Sequence, residues 1–527
     1  MTPRGTATEP RTIMPVDTQA PHYKWLVATI VVIGGATQVF AGSSVNLAIP
    51  SIMATFGAEL ATAQWVATGF LLARTLIMPV LGWLGAYVGN RNLFVAIMAG
   101  FVVASIGCGL SGSLPMLIGF RILQGLVLGP MEGISTVLLV QAFPANQRGL
   151  ALGLRTIGWS AGQVIFFVLG GYFIQEVSWR LVFFLGLPIA LGSATLGFLY
   201  LPQHREAKGE PVDFAGLTLL GGFLVPLLLA ISFARDDETA VSTLVLLGLC
   251  TLVGGVSFVV WEWVTDYPVV NLRLFRNVPF SFVCFGSFLN NLGLFGAQFM
   301  VPIFLQQVLG YTPFQAGLII MPALIISGLG GVITGRLTDV LPPPVVIISG
   351  LLMLMAVFYG MSTVTVLTSV SVLVFYITLY RICLYGITTP TTALNVHILE
   401  TDQVRMGQGL LGVVRSIGSS LGVTVTSVFF ARRQALHQLQ SYDTYDVSAP
   451  AHAEAMTDMR QLLSEAGLMG ASADQVALRT LQRQMQTEAM ASGFRDSFLL
   501  VAMFFSLACL LMGWIWSRGW HRPRDGS

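Results

Sequence analysis

The sequence predicts an all-α polytopic membrane protein with fourteen transmembrane helices, built from two six-helix repeats plus two inserted helices. Composition is the first reason: 54% of the residues are apolar, 10% are charged and the mean hydropathy is +0.76, unlike any water-soluble domain. The second is an internal repeat, because the stretch from Arg155 to Gly162 (RTIGWSAG) returns 260 positions later as Arg415 to Gly422 (RSIGSSLG). Two homologous halves around a midplane site are typical of alternating-access transporters.

Apolar runs near the length of about twenty residues that crosses a bilayer define the helices. Six lie in the first half, at 25–47, 62–83, 92–112, 115–140, 150–173 and 180–201. Six lie in the second half, at 279–302, 314–337, 345–365, 367–394, 407–430 and 496–517. Between them is an unrepeated pair, 214–234 and 240–263.

The predicted domains follow from these spans. They are a disordered cytoplasmic tail (1–24), an N-terminal six-helix bundle (25–202), a linker with the two extra helices (203–277), a C-terminal six-helix bundle (278–517) that includes an extracytoplasmic loop (432–495), and a second cytoplasmic tail (518–527).

Both termini are predicted to be cytoplasmic. An even number of spans leaves them on one side, and the short loops of that side carry most of the basic residues: Arg4, Arg11, Lys24, Arg91, Arg148, Arg205, Lys208, Arg273, Arg276 and Arg405. The opposite short loops carry only Arg180 and Arg235. By the positive-inside rule, we expect a multi-pass protein of the cytoplasmic (inner) membrane.

The outer segment 432–495 is much longer than the other loops and contains charged residues. The run Ser472-Ala-Asp-Gln475 resembles a helix capping box, and apolar residues follow it at helical spacing, which predicts an amphipathic helix. This segment could form a solvated hairpin that packs on itself, a docking surface for a partner, or a lid over the exit path.

Enzymatic, metal-binding and nucleic-acid-binding functions have little support. The five cysteines stand singly in apolar segments, without the paired spacing of a disulfide framework or a zinc site. The chain contains no His-Glu-x-x-His motif, no phosphate-binding loop and no Gly-x-Ser-x-Gly elbow. We therefore expect no cofactor, no metal and no use of nucleotide hydrolysis.

Local motifs resemble those of the major facilitator superfamily. The loop signature runs from Gly82 to Gly89 and Arg91, with a second copy at Gly335, Arg336 and Asp339, so the resemblance implies that these six residues form a cytoplasmic gate. The run Arg121-Ile-Leu-Gln-Gly125 is similar to the fourth-helix motif, which implies a role for Arg121 in coupling. The alternative for Arg121 is a structural hydrogen bond to neighbouring backbone.

Further motifs resemble the fourteen-helix drug:proton antiporters of the EmrB/QacA type over residues 25–517; they include Val45-Asn46-Leu-Ala-Ile-Pro50, Asp213-Phe-Ala-Gly216 and Pro302-Ile-Phe-Leu-Gln-Gln307. The resemblance implies the major facilitator fold and proton-coupled drug efflux. It also leaves open a periplasmic adaptor of the membrane-fusion class in an organism with two membranes.

Three positions depart from that pattern. Ala41 stands where the first helix commonly has an acidic residue, and Ala86 takes the usual acidic position of the first loop signature. Phe166 and Phe167 replace the Gly-Pro of the antiporter motif on the fifth helix. The first departure disfavours cationic drugs, the second weakens the first-half latch, and the third puts the mode of coupling in question.

Charged residues inside the spans are the strongest functional signal, because each costs several kcal/mol in hydrocarbon unless it pairs or lines a wet cavity. Four stand out: Arg74, Arg121, Glu132 and Arg155. Glu132 follows Arg121 by eleven residues, which returns to nearly the same helix face about 16 Å along the axis. A buried carboxylate can exchange a proton when its surroundings change, so we predict that Glu132 carries the proton, with Arg121 and Arg74 taking part in the coupling.

Two alternatives remain for Glu132: a permanent structural ion pair with Arg74 or Arg155, or direct contact with the substrate. Arg74 needs a partner because a guanidinium stays charged, and either Glu132 or an anionic substrate would supply it. With no acid at Ala41 and a base at Arg74, the sequence favours neutral, zwitterionic or weakly acidic amphiphiles over dications.

Two more sets of residues complete the predicted machinery. Small residues four apart allow close helix crossing in lipid, and the repeat supplies them twice, as Gly158, Gly162, Gly418 and Gly422. Isolated polar groups on apolar helices predict a substrate cavity; they are Gln38, Asn46, Gln124, Arg155, Trp159, Gln163, Asn290, Asn291, Gln298, Gln306 and Arg381.

The leading hypothesis is a secondary active efflux transporter that exchanges protons for an amphipathic drug or lipid-like compound. Its partners would be the lipid bilayer, protons and the small substrate. One rival is an uncoupled or differently coupled transporter of the same superfamily. Another is a membrane sensor or scaffold that transports nothing and acts through 432–495.

Overall fold

The computed structural model describes residues 20, 22–203, 213–234, 240–266, 268, 270–365, 368–400, 403–444 and 471–518, and the regular elements among them are helical. Most of both predicted tails and the middle of the predicted outer loop fall outside these residues.

The helices are numbered in chain order. The first half contains α1 Tyr23–Phe56, α2 Leu60–Ile77, α3 Leu81–Val88, α4 Asn90–Gly109, α5 Leu114–Leu128, α6 Met131–Ala142, α7 Arg148–Ile165, α8 Gly171–Glu176, α9 Leu181–Phe184 and α10 Leu187–Tyr200. The inserted pair is α11 Phe214–Phe233 and α12 Val241–Val264. The second half contains α13 Val278–Ile303, α14 Pro313–Val340, α15 Pro343–Ser362, α16 Val370–Ile398, α17 Val404–Thr444 and α18 Ala471–Ser517.

Within the described residues, fourteen helical stretches are long and apolar enough to cross a membrane, in the order six, two and six. The predicted all-α fold with fourteen spans is therefore confirmed. Some spans consist of two helices, because Pro130 separates α5 from α6 and a 3₁₀ turn, Met78–Val80, separates α2 from α3. Short π-helical turns, which often mark functional sites, lie at Phe166–Gly170 and Phe304–Val308.

The two faces of the molecule are named from the course of the chain. Helix α1 begins and α18 ends on the inner face, and the outer face carries the segment between α17 and α18. At the inner face the Lys24 ammonium donates to the Gln147 amide oxygen at 2.7 Å, which ties the start of α1 to the connection before α7.

The predicted outer loop differs from expectation at both ends. Helix α17 continues to Thr444 instead of ending near 430, and the predicted helix after Ser472 is part of α18, which begins at Ala471. Asp496 joins the two helices by accepting from Arg433 Nε at 2.5 Å and pairing with His437 Nε2 at 2.7 Å. The end of an apolar run in the sequence indicates where a helix leaves the hydrocarbon of the membrane. The helix itself can continue beyond that point, because backbone hydrogen bonds and packing stabilise it there.

The repeat is also visible in how helices cross. Gly158 and Gly162 of α7 lie against the backbone of Val32 and Ala36 in α1. In the second half, Gly418 and Gly422 of α17 lie against the carbonyls of Phe288 and Leu292 in α13. A side chain at any of the four would meet backbone atoms of the neighbouring helix, so glycine permits the close approach in both halves.

The two halves contact each other along α7 and α14. Thr156 Oγ1 donates to the Gly328 carbonyl at 3.0 Å, and the Ser160 hydroxyl donates to the Leu324 carbonyl. From the start of α7 to Ser160 is about 18 Å along the axis, so these contacts cover the inner half of the membrane.

A second seam joins α2 and α17. The hydroxyls of Thr75 and Ser416 are 2.5 Å apart, and Gly409 lies against the backbone of Met78 and Pro79. With the seam between α7 and α14, this closes the space between the halves towards the inner face.

The inserted helix α11 lies beside both halves. The ring of Phe233 packs edge-on against Trp65 of α2 with centroids 6.4 Å apart, and Thr424 Oγ1 of α17 donates to the Ile231 carbonyl at 3.1 Å. Helix α12 buries few of its residues, Phe258 and Glu262 among them, and its exposed apolar side chains suit contact with lipid.

We expect Gly422→Ala to lower thermal stability, because its new methyl group would overlap the carbonyl of Leu292. Overpacking of this kind costs about 1–3 kcal/mol. Gly35→Ala is the matched control, since nothing lies within 4 Å of the position of its new methyl group. Melting of the purified protein in detergent measures the difference, and equal melting temperatures for the two variants would contradict the packing described.

Candidate functional site

The central acidic residue is Glu132, in the first turn of α6 just after Pro130. A carboxylate there is favoured by the exposed amides and the dipole of the helix start. Ten residues separate Glu132 from the inner end of α6, so it lies about 15 Å deep, near the middle of the membrane. Its side chain is 31% exposed, which means that it lines an open crevice.

Three arginines surround the Glu132 carboxylate. Arg74 Nη2 of α2 lies 3.7 Å from Oε2, and Arg155 Nη1 of α7 lies 3.8 Å from Oε1. Arg415 Nη1 of α17 is nearest, at 3.3 Å from Oε1. Helices α2, α6 and α7 belong to the first half and α17 to the second, so the contact with Arg415 joins the two halves through charge.

Arg155 and Arg415 occupy equivalent positions in the internal repeat, 260 residues apart, and the same offset relates Glu132 to Thr392. Arg155 Nη1 donates to the Glu132 carbonyl at 3.2 Å and to Thr136 Oγ1 at 3.3 Å. Arg415 Nη2 donates to Thr392 Oγ1 at 3.1 Å. The repeat thus supplies one equivalent arginine from each half, and Arg74 adds a second from the first half. The carboxylate comes from the first half alone.

The cluster carries excess positive charge. Guanidinium groups stay protonated in proteins, so Arg74, Arg155 and Arg415 contribute three positive charges against the one negative charge of Glu132. The crevice beside Glu132 and Arg415 is otherwise apolar or uncharged; its remaining lining residues are Met78, Leu81, Gly129, Gly133, Gln408, Gly409 and Gly412. The positive charge that remains uncompensated increases further when Glu132 is neutralised.

Of the three residues predicted for proton coupling, the structure brings Arg74 to Glu132 and keeps Arg121 away. Arg74 also donates from Nη2 to Gln38 Oε1 at 3.3 Å. Arg121 is only 1% exposed and donates to the carbonyls of Val66 and Ala41 at 3.0 and 2.9 Å.

Arg121 has further neighbours that hold it in place. It donates to Gln124 Oε1 at 2.6 Å, and its guanidinium lies 4.3 Å from the Phe70 ring centroid. Gln124 in turn donates to Ser105. These contacts give the guanidinium of Arg121 hydrogen-bond acceptors and an aromatic face without Glu132. They also hold α1, α2, α4 and α5 together in the outer half.

The other predicted cavity residues are scattered. Gln163 and Asn290 are buried, and each has a side-chain oxygen with no hydrogen-bond donor among the described residues. Asn291 donates to the Ser287 carbonyl at 2.8 Å. Gln298 is exposed and Trp159 is half-buried.

Arg381 and Asn46 were also predicted to line the cavity, and the structure describes the side chain of Arg381 but not that of Asn46. Arg381 is 8% exposed with its guanidinium 5.6 Å from the Tyr380 ring centroid. The side chain of Asn46 lies outside the described residues. The structure therefore gathers Arg155, Arg74 and Gln38 at the centre and leaves the other polar residues around them.

The predicted inner gate centres on Asp339 at the end of α14. Its two carboxylate oxygens accept from the backbone amides of Gly149 and Leu150 at 2.7 and 2.9 Å, so an acid of the second half caps α7 of the first half. Gly335 packs against Gly149, where a side chain would meet backbone.

The remaining gate positions have less direct contacts. Gly89 has a φ of +84° that suits glycine at the turn between α3 and α4. The guanidinium of Arg91 lies 5.7 Å from the Phe198 ring centroid, and Arg336 is exposed. The surroundings of Gly82 and Ala86 fall outside the description.

A sequence model of the Major Facilitator Superfamily matches residues 31–423. The chain belongs to this superfamily. It is a multi-pass membrane transporter and not an enzyme, as predicted.

Known relatives cover most of the chain. The multidrug export protein EmrB of Escherichia coli K12 is 28% identical over 490 residues, which are 91% of this chain and 92% of EmrB. The fatty acid resistance protein FarB of Neisseria gonorrhoeae is 29% identical over 429 residues, 81% of this chain and 84% of FarB. The chain is thus similar to efflux transporters of the superfamily.

A solved structure shares the fold. The human organic anion transporter MFSD10 aligns with a TM-score of 0.61 at 13% identity, covering 94% of this chain and 100% of MFSD10. At this identity the likeness shows the fold alone.

Arg415 is the site residue that the sequence reasoning missed. It stands in the repeated motif that first showed the duplication, and it is the equivalent of Arg155, which was included. Transferring each predicted polar residue to its equivalent position in the other half would have found it.

We expect Asp339→Asn to loosen the start of α7, because the amide has one acceptor oxygen where the carboxylate has two, and no charge. Loss of a cap worth ~1 kcal/mol corresponds to about fivefold faster amide exchange around Gly149 and Leu150. Hydrogen–deuterium exchange with mass spectrometry measures this. Asp213→Asn is the control, since Asp213 caps α11 at Gly216, and equal exchange near Gly149 in both variants would contradict the gate contact.

Proposed function

We propose that this protein is a proton-coupled exporter of amphipathic compounds, in which Glu132 carries the proton. The observation that supports this most strongly is the Glu132 carboxylate near the membrane centre, which lies 3.3 Å from Arg415 of the opposite half. Among the charged groups that face one another here, Arg74 on α2, Arg155 on α7 and Arg415 on α17 keep their charge, so Glu132 is the one that can lose it.

Protonation of Glu132 couples to opening of the inner face. Ionised Glu132 attracts Arg415 and favours the closed seams between α2 and α17 and between α7 and α14. A proton arriving from the outer side removes this attraction and leaves the arginines of the two halves to repel each other. Opening of the inner face then returns the transporter to the side where it loads substrate.

The inner face is assigned to the cytoplasm and the membrane to the inner membrane. The basic residues predicted for cytoplasmic loops support this, among them Lys24, Arg91 and Arg276, which lie at the inner ends of α1, α4 and α13. A periplasmic adaptor that meets the outer ends of α17 and α18 would extend the export path in an organism with two membranes.

The substrates proposed are amphipathic. The described crevice beside Glu132 and Arg415 has room for about one water molecule, so the support for this proposal comes from the relatives. The relatives are named for multidrug export and for fatty acid resistance, and both names fit molecules with an apolar body.

Transport and its coupling are tested in liposomes that contain the purified protein and carry an imposed pH gradient. A panel of cationic, neutral and acidic amphiphiles is added in turn, and the collapse of the gradient is followed. We expect at least one compound to collapse the gradient with the wild-type protein and none with Glu132→Gln, because the amide cannot take up a proton.

Glu59→Gln is the matched control, since Glu59 is an exposed carboxylate just before α2, and it should behave as wild type. A response that survives in Glu132→Gln would move the proton to another group. Compound export without proton movement would support an uncoupled transporter. If Glu132→Gln and Arg121→Ala both left cellular function intact while deletion within 445–470 abolished it, the protein would be a sensor or scaffold.

A further inference from the structure

We infer that the inserted helix α11 is a side wall that closes the gap between α2 and α17 to lipid, so that the charged centre opens to water on this side. This gives a role to the helix pair that lies outside the internal repeat. The role depends on the fold of the two halves and goes beyond the proposed function, since it requires neither a proton nor a particular substrate.

Helices α2 and α17 meet at their inner seam and separate further out. At the seam the hydroxyls of Thr75 and Ser416 are 2.5 Å apart. Leu71 lies one turn further out on the same face of α2, yet its side chain is 53% exposed. Two turns further out on α17, Thr424 donates to the Ile231 carbonyl of α11 at 3.1 Å. The space between α2 and α17 therefore widens outwards, and α11 lies alongside it.

One face of α11 is buried along most of the helix. Its buried apolar residues are spaced four, four and three apart, which keeps them on one side; they are Leu220, Leu224, Leu228 and Ile231. This face is about 16 Å long. Its inner part shares an apolar cluster with Met78, just after α2, and with Leu411 of α17. Beyond its outer end, Phe233 packs against Trp65 of α2 with ring centroids 6.4 Å apart. Helix α11 thus contacts both halves at the inner and the outer level.

The charges at the centre explain why this gap must exclude lipid. Arg74 stands on α2 and Arg415 on α17, the two helices that border the gap, and their side chains are 18% and 12% exposed. A guanidinium in contact with hydrocarbon costs several kcal/mol, whereas one in a wet cavity does not. A gap that is open outwards to water but closed sideways by α11 keeps both arginines away from hydrocarbon.

The contacts of α11 also allow the two halves to move. Its contacts with α2 include the rings of Phe233 and Trp65, and Leu76 Cδ1 lies 3.7 Å from where a methyl group on Gly221 would stand. Apolar surfaces of this kind can shift past each other without leaving a hydrogen bond unmade. The directional contact, from Thr424, ties α11 to the second half. The wall can therefore stay in place while α2 moves along it.

Spin-label accessibility at Leu71 tests the wall in phosphatidylcholine liposomes. After the native cysteines are replaced, Leu71→Cys carries the label, and its collisions with oxygen, which concentrates in lipid, and with a water-soluble nickel chelate are measured. Leu252→Cys on α12 is the matched control, because it is 64% exposed and, like Leu71, lies eleven residues from the outer start of its helix.

We expect the label at Leu71 to collide severalfold more often with the nickel chelate, and severalfold less often with oxygen, than the label at Leu252. Oxygen collisions as frequent as those at Leu252 would show that the gap is open to lipid. A label at Leu71 that meets neither reagent would show that no outer gap exists. Either result would overturn the inference.

A wedge under α11 tests whether this helix is the wall. Thr424 is 7% exposed beneath the Ile231 carbonyl, so Thr424→Trp should push α11 away from α17 and raise oxygen collisions at Leu71 severalfold. Val425→Trp adds the same bulk at a neighbouring position that is 37% exposed, and it should leave the collisions unchanged. Melting temperatures check that both variants are folded. Unchanged collisions in folded Thr424→Trp would contradict the role of α11, and the comparison of Leu71 with Leu252 decides the question if that variant does not fold.

The outcome is separate from that of the proposed function, because these measurements use no gradient and no transported compound. Absence of proton movement in liposomes would reject the coupling and leave the side wall standing. Free access of oxygen to Leu71 would reject the side wall and leave the coupling standing.

Discussion

The charge of Glu132 links the two halves of this protein. Near the middle of a membrane, charges are stable only when they are paired or hydrated, and here one carboxylate meets three guanidinium groups from both sides of the molecule. The inner seams keep Arg415 within 3.3 Å of that carboxylate. Under the proposed coupling, neutralising the Glu132 carboxylate changes a contact between two halves of six membrane spans each, which is what alternating access requires.

The duplicated sequence explains why the site is asymmetric although the fold is nearly symmetric. Gly158 and Gly418 make equivalent helix crossings, and Arg155 and Arg415 point to the same central region. Thr392 is the equivalent of Glu132 in the second repeat, so within the described central cluster only the first half contributes a carboxylate that can lose its charge. Packing positions tolerate few residue types and stay alike in both copies, whereas the central site can differ between them.

Sequence reasoning succeeded where a physical rule acts locally. The fourteen spans follow from apolar length, and Glu132, Arg74 and Arg155 stand out because charges in apolar runs are rare. It failed where the result depends on how helices face one another. Helical periodicity placed Arg121 and Glu132 on one helix face, but the structure has the alternative arrangement, in which Arg121 donates to backbone carbonyls of α1 and α2. Nothing local to α17 showed that Arg415 would contact Glu132 of α6.

The most direct measurement of the link between Glu132 and Arg415 is the distance between spin labels at the inner ends of the two halves. Exposed Tyr87 on α3 and Val340 on α14 can carry the labels after the native cysteines are replaced. At high pH the wild-type distance should be short, and lowering the pH should lengthen it; Glu132→Gln and Arg415→Gln should show the long distance at both pH values. A short, pH-independent distance in all three proteins would contradict control of the inner face by this ion pair.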